Sequence, residues 1–348
     1  MQGLPTKGDG FPHEGYPRGW FQLAWSGELS TEAVMPLHYF GRDLVLFRGE
    51  SGAVSVLDAH CAHLGAHLGY GGRVVRDNIR CPFHGWVWDG GGNNVSIPGR
   101  PRPMKCQVGA WDAVESDGFI WVWHDPDGGD RRWAPPSVPE ASHPDYLQPW
   151  PLAAHCWPEV VVKPQFVTEN IVDMLHLQWV HRAASPGVLD SVETDEHRFI
   201  ARARLGLGVG KGPTTLTPDG PISARVDTVA EGLGATIFRF TDYSDTVYVG
   251  TVTPIDDERS SVRLTTIMKR DAAVRNGALT AWARATIREI VQQNDRDFVI
   301  FKNWKYAAHP PFVPEEKQAY VKLRQWAAQF YSGDPVVQPV LTQSARVN

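Results

Sequence analysis

A fixed arrangement of two cysteines and two histidines is the strongest constraint in this sequence. Cys61 and His63 form a Cys-x-His pair, seventeen residues follow, and Cys81 and His84 form a Cys-x-x-His pair in the segment CPFHGW. Thiolate and imidazole together suit zinc and iron–sulfur centres. A zinc ribbon normally uses matching Cys-x-x-Cys knuckles. One cysteine and one histidine from each half-site instead suit a [2Fe–2S] centre in which two histidines replace two cysteines on one iron. The pattern predicts a [2Fe–2S] site, with a zinc knuckle as the alternative.

Length, charge and the remaining cysteines narrow the class of protein. A chain of 348 residues is expected to form about two domains. Only four cysteines occur, which argues against a disulfide framework, and Cys106 and Cys156 are predicted to be ordinary buried thiols. The net charge is −5, without runs of like charge, long apolar stretches or a targeting pattern. We therefore expect a cytoplasmic protein with no nucleic-acid partner and no membrane span.

The patterns of strands and turns divide the chain into two parts. Short apolar runs such as DLVLF and FIWVWH, separated by turn residues, predict an all-β domain over residues 17–125. Residues 126–145 are rich in Pro, Gly and Asp and are predicted to be a linker. A second domain is predicted over residues 146–348, and packing of residues 1–16 on it is one expectation.

The second part combines helices with strands. A helical pattern covers residues 156–182 around ENIVDMLHLQWVH, strand-like runs fill residues 197–270, and a long helix is predicted from about Leu279 to Trp304. Strands flanked by helices in this order predict an α+β domain, in which helices pack on an antiparallel sheet.

A second set of candidate metal ligands lies in ENIVDMLHLQWVH. The segment contains Asn170, Asp173, His176 and His181. The two histidines are five residues apart, which on a regular α-helix separates them by about 140°. One metal could bind both only if the helix ends or loosens between them. Two imidazoles with one carboxylate are typical of a non-haem Fe(II) site that activates O2.

The long helix supplies a candidate for that carboxylate. Asp297 falls on its apolar stripe, whereas Asp295 lies about 140° away. A carboxylate on a buried face must be paired or coordinated. Asp297 is therefore the predicted third ligand and Asp295 the alternative. Asn294 shares the stripe and is expected to hydrogen-bond near the metal.

The two motifs together resemble those of the Rieske non-haem iron oxygenases. Both half-sites match the family pattern without a gap, and ENIVDMLHLQWVH matches its Asn-x-x-Asp-x-x-His-x-x-x-x-His pattern. Respiratory Rieske proteins carry two further loop cysteines where this chain has Ala66 and Phe83. The resemblance is thus to the oxygenase and ferredoxin branch.

This resemblance implies a Rieske [2Fe–2S] domain, a helix-grip catalytic domain and a homotrimer. Asp173 would connect the cluster of one subunit with the iron of the next, and Asn170 would act beside it. Because the chain has no flavin or dinucleotide fingerprint, electrons from NAD(P)H are expected to arrive through a separate reductase, with or without a ferredoxin, and O2 is the cosubstrate. The implied ligands are Cys61, His63, Cys81 and His84 for the cluster, and His176, His181 and Asp297 for Fe(II).

Longer segments point to a subgroup of that family. GYPRGWFQLAW, VLDAHCAHLGAHLG and KLRQWAAQFYSGD are similar to the oxygenase component of 3-ketosteroid 9α-hydroxylase and to cholesterol 7-desaturases. This implies hydroxylation, or desaturation, of a steroid-like hydrophobic substrate. HLQWVHRA also resembles members that demethylate or hydroxylate small aromatic acids, which gives the alternative function.

Two other classes of protein are alternatives. A pure electron carrier would keep its activity without His176 or Asp297, and a zinc-ribbon interaction protein would be colourless and free of acid-labile sulfide. Arg73, Arg76 and Arg80 lie between the half-sites, either as a docking surface for an acidic ferredoxin or as solvated surface charges.

Overall fold

The computed structural model describes residues 10–208 and 212–332. Its N-terminal part is built from short antiparallel strands. These strands are β1 Gly19–Trp25, β2 Val34–Tyr39, β3 Arg42–Arg48, β4 Val54–Asp58, β5 Arg73–Val75, β6 Asn78–Arg80, β7 Val87–Trp88, β8 Asn94–Ser96, β9 Ala110–Trp111, β10 Ala113–Ser116 and β11 Phe119–His124. They form sheets of order β1-β11-β10, β2-β3-β4-β9 and β5-β6-β7-β8. The first Cys-His pair lies between β4 and β5, and the second between β6 and β7.

The C-terminal part is a seven-stranded antiparallel sheet with helices. Its strands are β12 Ala154–Val161, β13 Val188–Asp195, β14 Arg198–Leu207, β15 Ile222–Glu231, β16 Ala235–Phe240, β17 Val247–Pro254 and β18 Arg259–Ile267, followed by the hairpin β19 Val274–Arg275 and β20 Ala278–Leu279. The helices are α1 Pro164–Glu169, α2 His176–Trp179, α3 Arg270–Ala273, α4 Ala281–Phe301 and α5 Pro314–Ala328. The sheet order is β12-β18-β17-β16-β15-β14-β13, and the α+β prediction is confirmed.

The two parts share a buried core. The Trp25 indole donates to Thr265 Oγ1 at 2.8 Å, and Thr251 Oγ1 donates to Gln22 Oε1 at 2.8 Å, so β1 is hydrogen-bonded to the large sheet. Trp20 and Trp25 pack there against Ile237 and other apolar side chains of that sheet. Because β17 and β18 are covered by β1, nearly all their residues are buried rather than alternating with exposed ones.

The helix predicted over residues 156–182 is wrong in its first part. Ala154–Val161 is the edge strand β12, and helix is limited to α1 and α2. The β-branched run Val160–Val162 favours an extended strand, and Pro164 can begin a helix but cannot continue one. Helix α4, Ala281–Phe301, agrees with the helix predicted from about Leu279 to Trp304. The Thr280 side chain caps its first turn by accepting from the Ala283 amide at 3.1 Å.

The prediction that Cys106 and Cys156 are ordinary buried thiols needs correction. Cys106 and Cys156 are only half-buried, because they lie at the edges of clusters rather than inside them. The segment predicted as a linker contains a 3-10 turn at Pro139–Ala141, and Val138 is fully buried. Within the described ranges, no helix is both long and apolar enough to cross a bilayer. Residues 1–9 and 333–348 of the predicted domain arrangement lie outside the described residues.

Candidate metal centres and substrate cavity

The two loops that carry the Cys-His pairs have the same backbone geometry. In each loop the cysteine carbonyl accepts from a glycine amide four residues later, at 2.8 Å for Gly65 and 3.1 Å for Gly85. Both glycines have positive φ, +76° and +71°, which an L side chain rarely adopts. The cysteine amides donate in turn to carbonyls five residues later, at 2.9 Å from Cys61 and 2.8 Å from Cys81. Two matching loops therefore present their side chains to one place.

The four side chains of these loops meet at the surface of the small domain. Cys61 and Cys81 are each 3% exposed, whereas His84 is exposed and His63 is half-buried. The His63 and His84 rings lie 4.8 Å apart, and His63 stacks on Trp86 at 4.4 Å. Burial raises the pKa of the Cys61 thiol, and the adjacent Cys81 sulfur raises it further. A thiol in such a place loses its proton only when a positive centre binds the sulfur, which fits a metal cluster.

A second convergence of ligands lies between α2 and α4. The ligand atoms of His176, His181 and Asp297 lie within 4.8 Å of one another, and His181 Nε2 is 3.3 Å from Asp297 Oδ1. Helix α2 ends at Trp179, between the two histidines, and their rings come within 4.9 Å. Among the described His, Cys, Asp and Glu side chains, this is the one set arranged around a single point. The four Cys-His side chains do not form such a set of three or more.

Neighbouring groups fix how these ligands are oriented. His176 Nδ1 lies 2.5 Å from the Asp173 carbonyl oxygen, which leaves Nε2 available to a metal. Burial alone would lower the pKa of His176, but the hydrogen bond and charge of Asp173 outweigh burial and raise it. The Asn170 amide donates to Asp297 Oδ2 at 3.4 Å. His181 Nδ1 is buried without a partner among the described residues.

The other candidates on α4 point elsewhere. Asp295 accepts from the Trp157 indole at 2.8 Å and does not join the ligand set. Asn294 was expected near the metal, but its amide donates to the Ile290 carbonyl of its own helix at 2.9 Å. An Asn side chain within a helix can donate in this way to the carbonyl four residues earlier.

A cavity of about 320 Å³ begins beside His181 and runs along α4. This volume lies in the range of small-molecule sites. Its walls come from α4, β14, β16, β17 and residues 214–217 and are mainly apolar. No sequence pattern identifies these lining residues, since they alternate with ordinary core positions along distant strands. Apolar and aromatic side chains of the lining include Leu177, Leu205, Leu207, Phe240, Tyr248 and Ile290.

Comparisons with protein families cover both parts of the chain. Residues 19–111 match the Rieske [2Fe-2S] domain, and residues 122–331 match the 3-Ketosteroid 9alpha-hydroxylase C-terminal domain. Cholesterol 7-desaturase from Caenorhabditis elegans is 30% identical, with 91% of this chain and 77% of that protein covered. The 3-ketosteroid-9-alpha-monooxygenase oxygenase component from Rhodococcus rhodochrous is 27% identical, with 94% and 87% covered.

Solved structures give the same fold. Dicamba monooxygenase bound to 3,6-dichlorosalicylic acid matches with a TM-score of 0.68 and 20% identity, covering 90% of this chain and 96% of the other. NdmA with caffeine, from Pseudomonas putida CBB5, matches with a TM-score of 0.66 and 18% identity, covering 88% and 89%. At such identities the likeness concerns the fold.

Proposed function

Because this chain belongs to the Rieske oxygenases that carry a 3-ketosteroid 9alpha-hydroxylase C-terminal domain, we propose that it hydroxylates or desaturates a steroid-like hydrophobic molecule. It is an oxidoreductase whose cofactors are a [2Fe–2S] cluster and a mononuclear iron, with O2 as cosubstrate. As an oxygenase component it depends on a separate reductase. NAD(P)H as the source of electrons is part of the proposal.

We assign the cluster to the two matching loops. Cys61 and Cys81 would hold one iron from the buried side, and His63 and His84 the other from the exposed side. Support comes from the shared loop geometry, the burial of both cysteines and the ring distance of 4.8 Å between the two histidines. Two cysteines on one iron and two histidines on the other agree with the donor chemistry of such clusters.

We assign the mononuclear iron to His176, His181 and Asp297. When bound, the iron and the cluster together supply O2 activation and the electrons it consumes. The chain keeps the three ligands in place: Asp173 fixes the His176 ring, and the Asn170 amide holds the Asp297 carboxylate. Three protein ligands leave other metal positions open to reactants.

The cavity is the observation that carries the substrate proposal. It begins at a ligand histidine and is mainly apolar, so a fused-ring hydrocarbon could lie with one carbon beside the iron while water is excluded. An aromatic acid would need an Arg, His or Asn in the cavity to hold its carboxylate. His181 lines the cavity but is assigned to the iron. Among the described lining residues, the permanent cation is Arg288, which is exposed and adjacent to Glu289.

We also propose the domain division 17–125, 126–145 and 146–348, and a homotrimer. The trimer is supported by apolar side chains left uncovered beside both centres. Trp179, three residues from His176, is 83% exposed, and Leu64 and Phe83, next to the cluster histidines, are 66% and 63% exposed. A neighbouring subunit is a partner that would bury them.

Product mass spectrometry tests the substrate. The iron-loaded protein, with a surrogate reductase and NAD(P)H or with peroxide, receives a panel of steroids and of methoxylated aromatic acids. Gain of one oxygen, or loss of two hydrogens, on a steroid is expected. Loss of a methyl group from an aromatic ether, with every steroid unchanged, would refute the proposal in favour of demethylation.

Asp297→Asn and Asp295→Asn form a matched pair for the iron assignment. Asp297→Asn is expected to lose mononuclear iron and to reduce turnover by at least about 100-fold, because it removes a ligand, while the cluster spectrum is retained. Asp295→Asn keeps an acceptor for the Trp157 indole and is expected to retain iron. Equal turnover in the two variants would contradict the ligand assignment, and full activity in both would indicate a pure electron carrier.

A further inference from the structure

Positive charge is concentrated around the two cluster loops. Residues 61–111 contain six basic and two acidic residues, in a chain whose net charge is −5. All six basic side chains are exposed. Among the described residues, the ion pairs within 4 Å include none of them. We call these six residues the basic surface: Arg73, Arg76, Arg80, Arg100, Arg102 and Lys105.

The fold does not require these charges. Arg73 and Arg80 are directly opposite each other on β5 and β6. Like charges in such positions repel and destabilise a strand pair. Among the described ion pairs within 4 Å, none includes Arg73 or Arg80. The two arginines therefore destabilise the strand pair without a compensating ion pair. A role outside folding would account for it.

The basic surface adjoins the cluster. Arg80 immediately precedes the ligand Cys81. The loop after β8 passes against the second cluster loop, since a Cβ at Gly85 would lie 2.9 Å from Pro98 Cγ. Arg100 and Arg102 follow Pro98 by two and four residues. An approaching protein that contacted these side chains would thus stand close to the exposed His84.

We propose that the basic surface docks an acidic one-electron carrier protein that reduces the cluster. The inference rests on the proposed function to the extent that it assumes electrons delivered by a separate protein. Complementary charge steers diffusional encounter and accelerates association, and the acidic remainder of the chain repels the same carrier from other faces. The charge distribution therefore favours a carrier with a negatively charged surface and directs it to the face beside the cluster.

Stopped-flow reduction of the cluster tests this proposal. The probe is a plant-type [2Fe–2S] ferredoxin with an acidic surface, kept reduced by its NADPH-dependent reductase. Arg73→Glu/Arg80→Glu is expected to slow reduction by at least about tenfold at low ionic strength, with the difference largely lost at high salt. The matched control is Arg275→Glu/Lys317→Glu, which reverses two exposed charges of the other part of the chain and is expected to keep the native rate.

Dithionite provides a second measurement that needs no docking. At high salt, which screens the charge of its anionic reductant SO2•−, dithionite is expected to reduce native and variant clusters alike. If dithionite also reduces the Arg73→Glu/Arg80→Glu variant slowly, that substitution has disturbed the cluster itself. The rate of reduction by ferredoxin is then measured in Arg100→Gln/Arg102→Gln instead. Native rates in that loop variant, or equal slowing in the control, would overturn the proposal.

Two further results separate the possible explanations. Binding to anionic phospholipid vesicles that the Arg73→Glu/Arg80→Glu change abolishes, with ferredoxin reduction unaffected, would overturn the proposal in favour of a membrane surface. The two proposals can also fail separately. If the cluster is reduced through the basic surface but the protein leaves every steroid unchanged, the proposed substrate is refuted and the docking proposal is supported.

Discussion

Arg324→Met is expected to destabilise the protein, because it leaves the Glu169 carboxylate buried without its cation. Glu169 has a side chain 1% exposed and accepts two hydrogen bonds of 2.9 Å from Arg324. The guanidinium also donates to the Ala307 carbonyl at 2.9 Å and lies 4.6 Å from the Tyr306 ring centre. Methionine keeps most of the apolar stem of arginine and removes the charge, so the substitution isolates the ion pair.

The size of the effect follows from this geometry. Removing one partner of a buried pair costs about 3–5 kcal/mol. Gln165 Nε2 still donates to Glu169 at 3.0 Å, which places the cost near the lower end of that range. For a chain of 348 residues that unfolds as one unit, 1 kcal/mol corresponds to about 1.4 °C, so a loss of about 3 kcal/mol lowers Tm by about 4 °C. Helix α1 leads directly to Asp173 and His176, so iron retention is expected to fall as well.

Thermal unfolding of the metal-loaded protein measures this change, and Glu169→Gln/Arg324→Met is its control. The double variant has no unpaired buried charge and is expected to recover most of the lost Tm. The reasoning is refuted if Arg324→Met changes Tm by less than about 2 °C, or if the double variant is no more stable than the single one.

Three other expectations concern the cluster loops, the cavity and pH. Gly85→Ala is expected to lower Tm and cluster content more than Gly65→Ala, because both have positive φ but only a Cβ at Gly85 meets Pro98, at 2.9 Å; equal losses would contradict this. Thr286→Val removes a buried hydroxyl without a described partner and is expected to leave Tm unchanged or raised, whereas a lower Tm would reveal a hydrogen bond. Burial raises the pKa of the Glu231 carboxyl, so the folded state binds its proton more tightly than the unfolded state does. The resulting stabilisation is present below about pH 4.5 and is lost as pH rises through the raised pKa. Glu231→Gln should therefore raise Tm at pH 7 and flatten its pH dependence, and an unchanged pH profile of Tm would contradict the assignment.

The features that could be predicted from the sequence are those determined by short segments of the chain. Each cluster loop closes on itself through hydrogen bonds within six residues, so its ligand spacing is readable from a short segment. Helix geometry predicted a break between His176 and His181 on the premise that one metal binds both, and α2 does end between them. The apolar stripe of α4 favoured Asp297 over Asp295, and the structure brings only Asp297 to the two histidines.

Long-range packing set the limit of prediction. The strand β12 was read as helix because its apolar content suits either structure, and only its pairing with β18 decides between them. The cavity combines Leu177, Leu205, Phe240 and Ile290, which lie far apart in the chain and are brought together by the sheet and α4. No local pattern distinguishes such positions from other core residues.

The shared core of the two parts also constrains how substrate could influence electron delivery. Hydrogen bonds from Thr251 and Thr253 to Gln22, at 2.8 and 2.7 Å, join β1 to the large sheet inside a buried interface. An interface of this kind does not open easily, in contrast to the polar contacts of domains that move as hinges. The cluster-bearing part is therefore held rigidly against the sheet that forms the cavity. We therefore expect any response to a bound substrate to act through side chains near His176 and His181, rather than through a hinge between the two parts. The short helix α2, tied to Asp173 at one end and to the cavity wall by His181 beyond the other, is the element placed to transmit it.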